Sequence, residues 1–225
     1  QEIEEYRKNY GVSDKRLVGA LNNGINVTFI QTLRASYQAE KRRKKIVFIG
    51  RFTNKSGLGE LLEALSSKEL HDVELEVLGD GPDALRLRRL AITLGIADRI
   101  LWHGGTVDEE QIASVMNRCR LFVYPGGVGL SLIHAMAYGL PAIVHSDRWR
   151  HMPEITAFTA GETGLCFPKH DIEGLAKAIS SGINDDEALE KWSQNCIHRA
   201  DSIYNTKIMA ERFYEFVNRL IDSSS

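Results

Sequence analysis

Five short apolar runs recur along the chain at near-regular intervals, with amphipathic segments between them. The runs are "KIVFIG" (45–50), "VELEVLG" (73–79), "RILWHG" (99–104), "RLFVYP" (120–125) and "PAIVHS" (141–146). Each is rich in Val, Ile, Leu or Phe, as strands covered on both faces must be. Between them, "LGELLEALSSKEL" (58–70) lines up Leu58, Leu61, Leu62 and Leu65. "DALRLRRLAITLG" (83–95) does the same with Leu87, Leu90, Ala91 and Leu94, and Gly95 follows as its terminator. "DEEQIASVMNRC" (108–119) opens on acids that complement the helix dipole. Strand and helix in alternation predict an α/β fold: a doubly wound, Rossmann-like parallel sheet. Ligands of such sheets bind beyond the carboxyl ends of the strands, so the informative loops are 50–57, 79–83, 104–108, 125–130 and 146–154.

After the strand-like "GLCFP" (164–168) the pattern turns helical, with Asp171 placed as a cap. The last helix, near 205–221, carries Ile208, Met209, Phe213, Phe216, Val217 and Leu220. That stripe covers either a neighbouring domain or the chain's own core. At the other end, "EIEEYRKNYG" reads as a charged helix with little to bury. The basic run Lys41 to Lys45 reads as a solvated approach to the first strand, with an anionic-membrane patch as the alternative.

Composition excludes several classes. A formal net charge of −2 argues against nucleic-acid binding by bulk electrostatics, and no apolar run reaches the length of a membrane span. Three widely spaced cysteines without a Cys-x-x-Cys pair fit reduced thiols in the cytoplasm, with no metal site; Cys119 and Cys166, beside apolar runs, read as small core residues.

The loop after the first strand, "IGRFTNKSGLGE", fails both nucleotide fingerprints. Leu62 stands where a dinucleotide fold needs its third glycine, and Asn54 where a P-loop needs its second. Arg51 and Lys55 remain as cations at a strand tip, either facing an anionic ligand or lying on the surface. "YPGGVGLSLIHAMAYGLPAIVH" (124–145) shifts the balance. Its glycines, Gly126, Gly127 and Gly129, lead into a helix beginning near Leu130, whose unpaired N–H groups suit a phosphate. With Arg51 and Lys55 the composite is a site for a diphosphate. His134, in the second turn, either hydrogen-bonds a ligand hydroxyl or fills the core.

Taken in order, "VFIGRFTNKSGLGELLEAL", the run from "LEVLGDGPDALRL" to "CRLFVYP", "GLSLIHAMAYGLPAIVHSD" and "MPEITAFTAGETGLCFPKHDIEGLAKAI" resemble a known family. The resemblance is to the C-terminal, nucleotide-sugar-binding half of a GT-B glycosyltransferase of the retaining group one type, glycosyltransferase family four. It implies a remnant of an acceptor domain over 1–15, the donor domain over 16–204 and a C-terminal helix and tail over 205–225 that can pack on an N-terminal domain. It implies sugar transfer from a nucleotide-diphosphate sugar to a glycan or lipid-linked acceptor bound by that N-terminal domain, without a cofactor. It further implies cytoplasmic work, at the inner membrane face where association is peripheral. A non-catalytic nucleotide-sugar-binding subunit is the alternative.

Carried over residue by residue, the resemblance puts Arg51 and Lys55 at the departing diphosphate. Gly50, Thr106, Val107, Gly126, Gly127, Val128, Gly129, Leu130 and His134 then surround the donor, with Thr106 and Val107 near the base. The chain departs from the family at two places. Gly126 and His134 stand where the family carries glutamates eight positions apart, the second of them for ribose hydroxyls. Ser56 stands where the family's lysine is usual, one position after Lys55.

Overall fold

Among the described residues six strands, all parallel, form one sheet in the order β3-β2-β1-β4-β5-β6. The computed structural model describes Gly11 and residues 23–222. The strands are β1 (Lys45–Ile49), β2 (Glu74–Leu78), β3 (Ile100–Gly104), β4 (Leu121–Tyr124), β5 (Ala142–His145) and β6 (Gly164–Phe167). The helices are α1 (Val27–Leu33), α2 (Leu58–Leu65), α3 (Ala84–Thr93), α4 (Glu109–Met116), α5 (Leu130–Ala137), α6 (Ile172–Ile183), α7 (Asp186–Ser202) and α8 (Thr206–Asp222). Each strand lies within one residue of the run that predicts it. The expected 58–70 helix is shorter: α2 stops at Leu65 and a separate 3-10 turn, Lys68–Leu70, carries Leu70 into the core. The expected N-terminal helix and the 1–15/16–204 boundary fall mostly outside the described residues.

β1, β2, β4 and β5 are central and nearly continuous in buried apolar side chains, with Val47, Phe48, Phe122 and Ile143 fully buried. That is the signature of a sheet with helices on both faces. The edge strands are more open, and this corrects one expectation. Cys119 is a core residue, but Cys166 is exposed, because β6 borders the sheet and one of its faces is open. Among the described side chains of α8 none is buried; its Phe213 and Leu220 stand 55% and 40% exposed.

β1 and β4 are neighbours although two strands and three helices separate them in sequence. Here the winding reverses direction, leaving a crevice beyond the strands' carboxyl ends. The loops 50–57 and 125–130 flank that crevice.

The amino-terminal half of the sheet holds a buried charge. Glu76, 1% exposed, lies within β2 and is bonded by Lys45 at 3.0 Å, His103 at 2.6 Å and Arg118 at 2.8 Å. Burial would raise its pKa, but the hydrogen bonds from Arg118, His103 and Lys45 outweigh that and hold the carboxyl down at about 2. A carboxylate in a strand interior persists because each oxygen is satisfied by a cation.

Candidate active site

The site grows out of two loops that share backbone. After β1, the amides of Gly50 and Phe52 donate to the carbonyls of Leu78 and Asp80, at 3.0 and 2.9 Å. Phe52 turns inward and is buried, so Arg51 is left pointing outward, exposed. Gly50 has its open side filled by the Tyr124 ring, 2.9 Å from where a Cβ would stand. That ring in turn stacks on Phe48, with centroids 4.8 Å apart. Arg51, Gly50, Thr106, Asp80, Gly79 and Gly105 line a cleft of about 230 Å³ beyond the carboxyl ends of β1, β2 and β3. Three of the expected site residues, Gly50, Arg51 and Thr106, therefore meet. Val107 stands just outside, 99% exposed.

Lys55 lies one turn further on, in the 3-10 turn Asn54–Ser56, exposed and outside the cleft's lining. Gly57 follows with φ +73°, a conformation that admits glycine and few others, and opens α2.

The glycine turn after β4 is held from two sides. The Gly126 amide donates to the Ser56 carbonyl at 3.2 Å. A Cβ on Gly126 would overlap the Lys55 carbonyl oxygen, and one on Gly127 would lie 2.6 Å from the Arg150 carbonyl oxygen. Gly129 faces the Met152 side chain at 3.3 Å. The space that these glycines leave is thus filled by the chain's own loops, and what they present toward the crevice is main chain. Val128 is fully buried between them. α5 then begins at Leu130, as the pattern predicts, with Gly129 as its N-cap and no side-chain capping bond. The Leu132 amide donates to the Gly129 carbonyl at 2.9 Å, which leaves the amides of Leu130 and Ser131 for water or an anion.

Two histidines brace the other side of this turn. The Val128 amide donates to His151 Nδ1 at 3.1 Å, so the neutral ring carries its proton on Nε2 and donates it to the His145 carbonyl at 2.9 Å. The His145 ring stacks on His151 with centroids 3.7 Å apart and is buried. Burial, reinforced by its neighbour His151, lowers the His145 pKa to about 4, and burial lowers that of His151 as well.

His134 is half-buried, and its partner is a residue that sequence reasoning missed. Its Nε2 lies 2.7 Å from Glu109 Oε1, the oxygen that also accepts from the Tyr138 hydroxyl at 2.6 Å. Burial raises the Glu109 pKa, but the bonds from His134 and Tyr138 more than compensate, so its carboxyl sits below the usual range. The 134/138 spacing, one helical turn, was readable as a shared face. The contact of both with α4 was not, since Glu109 reads there only as a dipole complement. His134 thus ties α5 to α4 through a carboxylate that it shares with Tyr138.

Comparison with known proteins agrees with the architecture. The family model for glycosyl transferases group 1 matches residues 29–199. A phosphatidyl-myo-inositol mannosyltransferase of Mycolicibacterium smegmatis is 30% identical over 211 residues, covering 87% of this chain and 51% of that protein. The chain spans about half of that relative or less of the others first matched, including 15% of an exopolysaccharide phosphotransferase of Streptomyces coelicolor that is 29% identical over 65% of this chain. Among solved structures, sucrose-phosphate synthase from Thermosynechococcus elongatus superposes with a TM-score of 0.78 at 22% identity, over 99% of this chain and 57% of that one. An Anabaena protein solved with UDP and glucose gives 0.74 at 17% identity, over 89% of this chain and 56% of that one. At these identities the superpositions speak for the fold, and the family match speaks for descent: the chain belongs to the glycosyl transferases group 1 family.

Proposed function

We propose that this chain is the donor-binding part of a glycosyltransferase that moves a sugar, with retention, from a nucleotide-diphosphate sugar to a glycan or lipid-linked acceptor. The observation that carries the reading is the cleft holding Gly50, Arg51 and Thr106 at the same end of the sheet as the α5 N-terminus, which no side chain caps, within a chain of this family. The diphosphate lies against the main-chain N–H groups of Gly127, Gly129 and Leu130. Arg51 and Lys55 oppose the charge that builds on the departing diphosphate as the glycosidic bond breaks, the place where electrostatic stabilisation matters most. Thr106 and Val107 border the base. His134 and Glu109 act as a unit at the ribose, with Glu109 supplying the carboxylate that position 134 lacks. No cofactor enters this scheme. An acceptor is bound by a further domain, and the work is done in the cytoplasm, at the membrane's inner face when the acceptor is lipid-linked. The Anabaena structure with UDP and glucose supports a donor of this chemical class.

One observation favours a second reading, a nucleotide-sugar-binding subunit without catalysis. Gly126 is so closely packed on Lys55 and Ser56 that a carboxylate cannot be accommodated there unless the loops part.

Calorimetric titration with UDP, GDP and ADP, each beside its nucleoside, tests the shared core of both readings. Saturable binding of one diphosphate, lost with its nucleoside, is expected. Binding of none of the three sinks both. The longest reading frame containing this chain then separates them: sugar transfer by that protein favours the enzyme, and tight donor binding without transfer favours the subunit.

A further inference from the structure

At the opposite end of the sheet from the donor cleft lies a second cavity, about 400 Å³, lined by Lys41, Arg42, Arg43, Lys45, Asn117 and Arg118. It sits where the chain enters β1 and where α4 ends. Five of the six lining residues are cations, on a protein whose formal net charge is −2. Two carboxylates offset them. Glu76 is buried beneath Lys45 and Arg118, and Glu74 pairs with Lys45 at 2.6 Å. Lys41 and Arg43 are exposed and form no ion pair with a described residue.

Arg42 makes this more than a charged surface. The residue is 7% exposed, with Nη1 donating to the carbonyls of Cys119 at 2.6 Å and Met116 at 3.3 Å. Its cation lies 4.2 Å from the centre of the Tyr37 ring, and the Tyr37 hydroxyl is tied to the Arg120 carbonyl at 2.7 Å. No carboxylate bonds it, and its buried Nη2 has no hydrogen-bond partner among the described residues. Burial lowers its pKa, the sign of a charge held in the interior at a cost. A neighbouring anion recovers that cost, and the fixed backbone around Arg42 means little ordering is needed to receive one.

We propose that this cavity is a second anion site, which takes a phosphate group. Lys41 and Arg43 meet it from the rim, Arg118 and Lys45 from the wall, and the Arg42 charge lies under the floor. Cations clustered in a fixed concavity suit the compact, highly charged phosphate. The phosphate belongs either to a free anion or to an acidic lipid headgroup, and the two sources are separable by experiment. The proposal is independent of the donor reading, since no lining residue is shared with the cleft at Arg51.

The test is an amide-resolved NMR titration of the chain with inorganic phosphate, paired with flotation on phosphatidylglycerol and on phosphatidylcholine vesicles. Saturable shifts at Asn117 and Arg118 are expected, with a midpoint about tenfold higher in the Lys41→Ala/Arg43→Ala double variant. Both substituted residues are exposed, so an unchanged spectrum elsewhere verifies the fold. Phosphate binding without flotation supports the site and assigns it to a free anion. Flotation on phosphatidylglycerol alone, lost in the double variant, supports it and assigns a headgroup. Shifts confined to the glycine turn, an unchanged midpoint in the variant, or neither phosphate nor vesicle binding overturns it.

Discussion

The two ends of this sheet handle charge by different means. At the carboxyl end, the crevice is faced by main chain: Gly126 and Gly127 pack against the carbonyls of Lys55 and Arg150, and an uncapped helix contributes N–H groups. Arg51 is the one side-chain cation among the described residues that line its cleft. At the amino end the charges sit on side chains. Glu76 is enclosed by Lys45, His103 and Arg118, and beside it five cations share one cavity. A backbone-built site has fixed geometry and tolerates no added atoms, whereas a side-chain-built site depends on mutual neutralisation. The two ends should therefore fail differently when altered.

The largest effect is expected at the amino end. Glu76→Gln leaves Lys45 and Arg118 without their buried counter-charge and should lower unfolding free energy by about 3 kcal/mol, read by denaturant titration. The wild-type dependence on acid has the same origin. The folded pKa of Glu76, about 2, lies below its ordinary 4.5. Its contribution is therefore complete above pH 4.5 and is lost as pH falls toward 2. A variant with unchanged stability and unchanged acid sensitivity would break the contrast at this end.

Next in size is Gly126→Ala at the carboxyl end, expected to cost about 2 kcal/mol because the new methyl meets backbone that cannot yield. Thermal melting checks it, and an unchanged melting temperature would mean that the two loops separate freely. Arg51→Ala should leave the melt alone and weaken a nucleoside diphosphate about tenfold while sparing the nucleoside. Equal loss for both ligands removes Arg51 from the phosphate.

His134→Ala is expected to cost about 1 kcal/mol of donor affinity with the fold intact, since Tyr138 still holds Glu109. Unchanged affinity would return His134 to a packing role. The smallest effect concerns the histidine brace. His145 titrates at about 4 when folded, against its ordinary 6.5, so its share of stability is present above pH 6.5 and is lost as pH falls toward 4. In that window the Val128 amide, held by His151, should exchange hydrogen faster before global unfolding begins. Uniform loss of protection would disconnect the brace from the turn.

The sequence by itself determined the order and kind of the elements. The apolar strand runs, the cap at Asp171, the stop at Gly95 (φ +69°) and the start of α5 at Leu130 are each written in a few neighbouring residues, and each took the expected form. Ordered local signals were enough to read the parallel sheet, and hence which loops matter. Tertiary structure alone decided what the site residues touch. Gly126 reads locally as space for a ligand, yet Lys55, from another loop, occupies that side. His134 reads as a lone imidazole, yet Glu109, 25 positions away, completes it. Cys166 lies in an apolar run but on a sheet edge, and Arg42 lies in a solvated-looking basic run yet is buried against α4. Periodicity encodes which face a residue presents, but the strand order and the loop clamps determine what waits opposite that face. Those follow from the packing of distant segments.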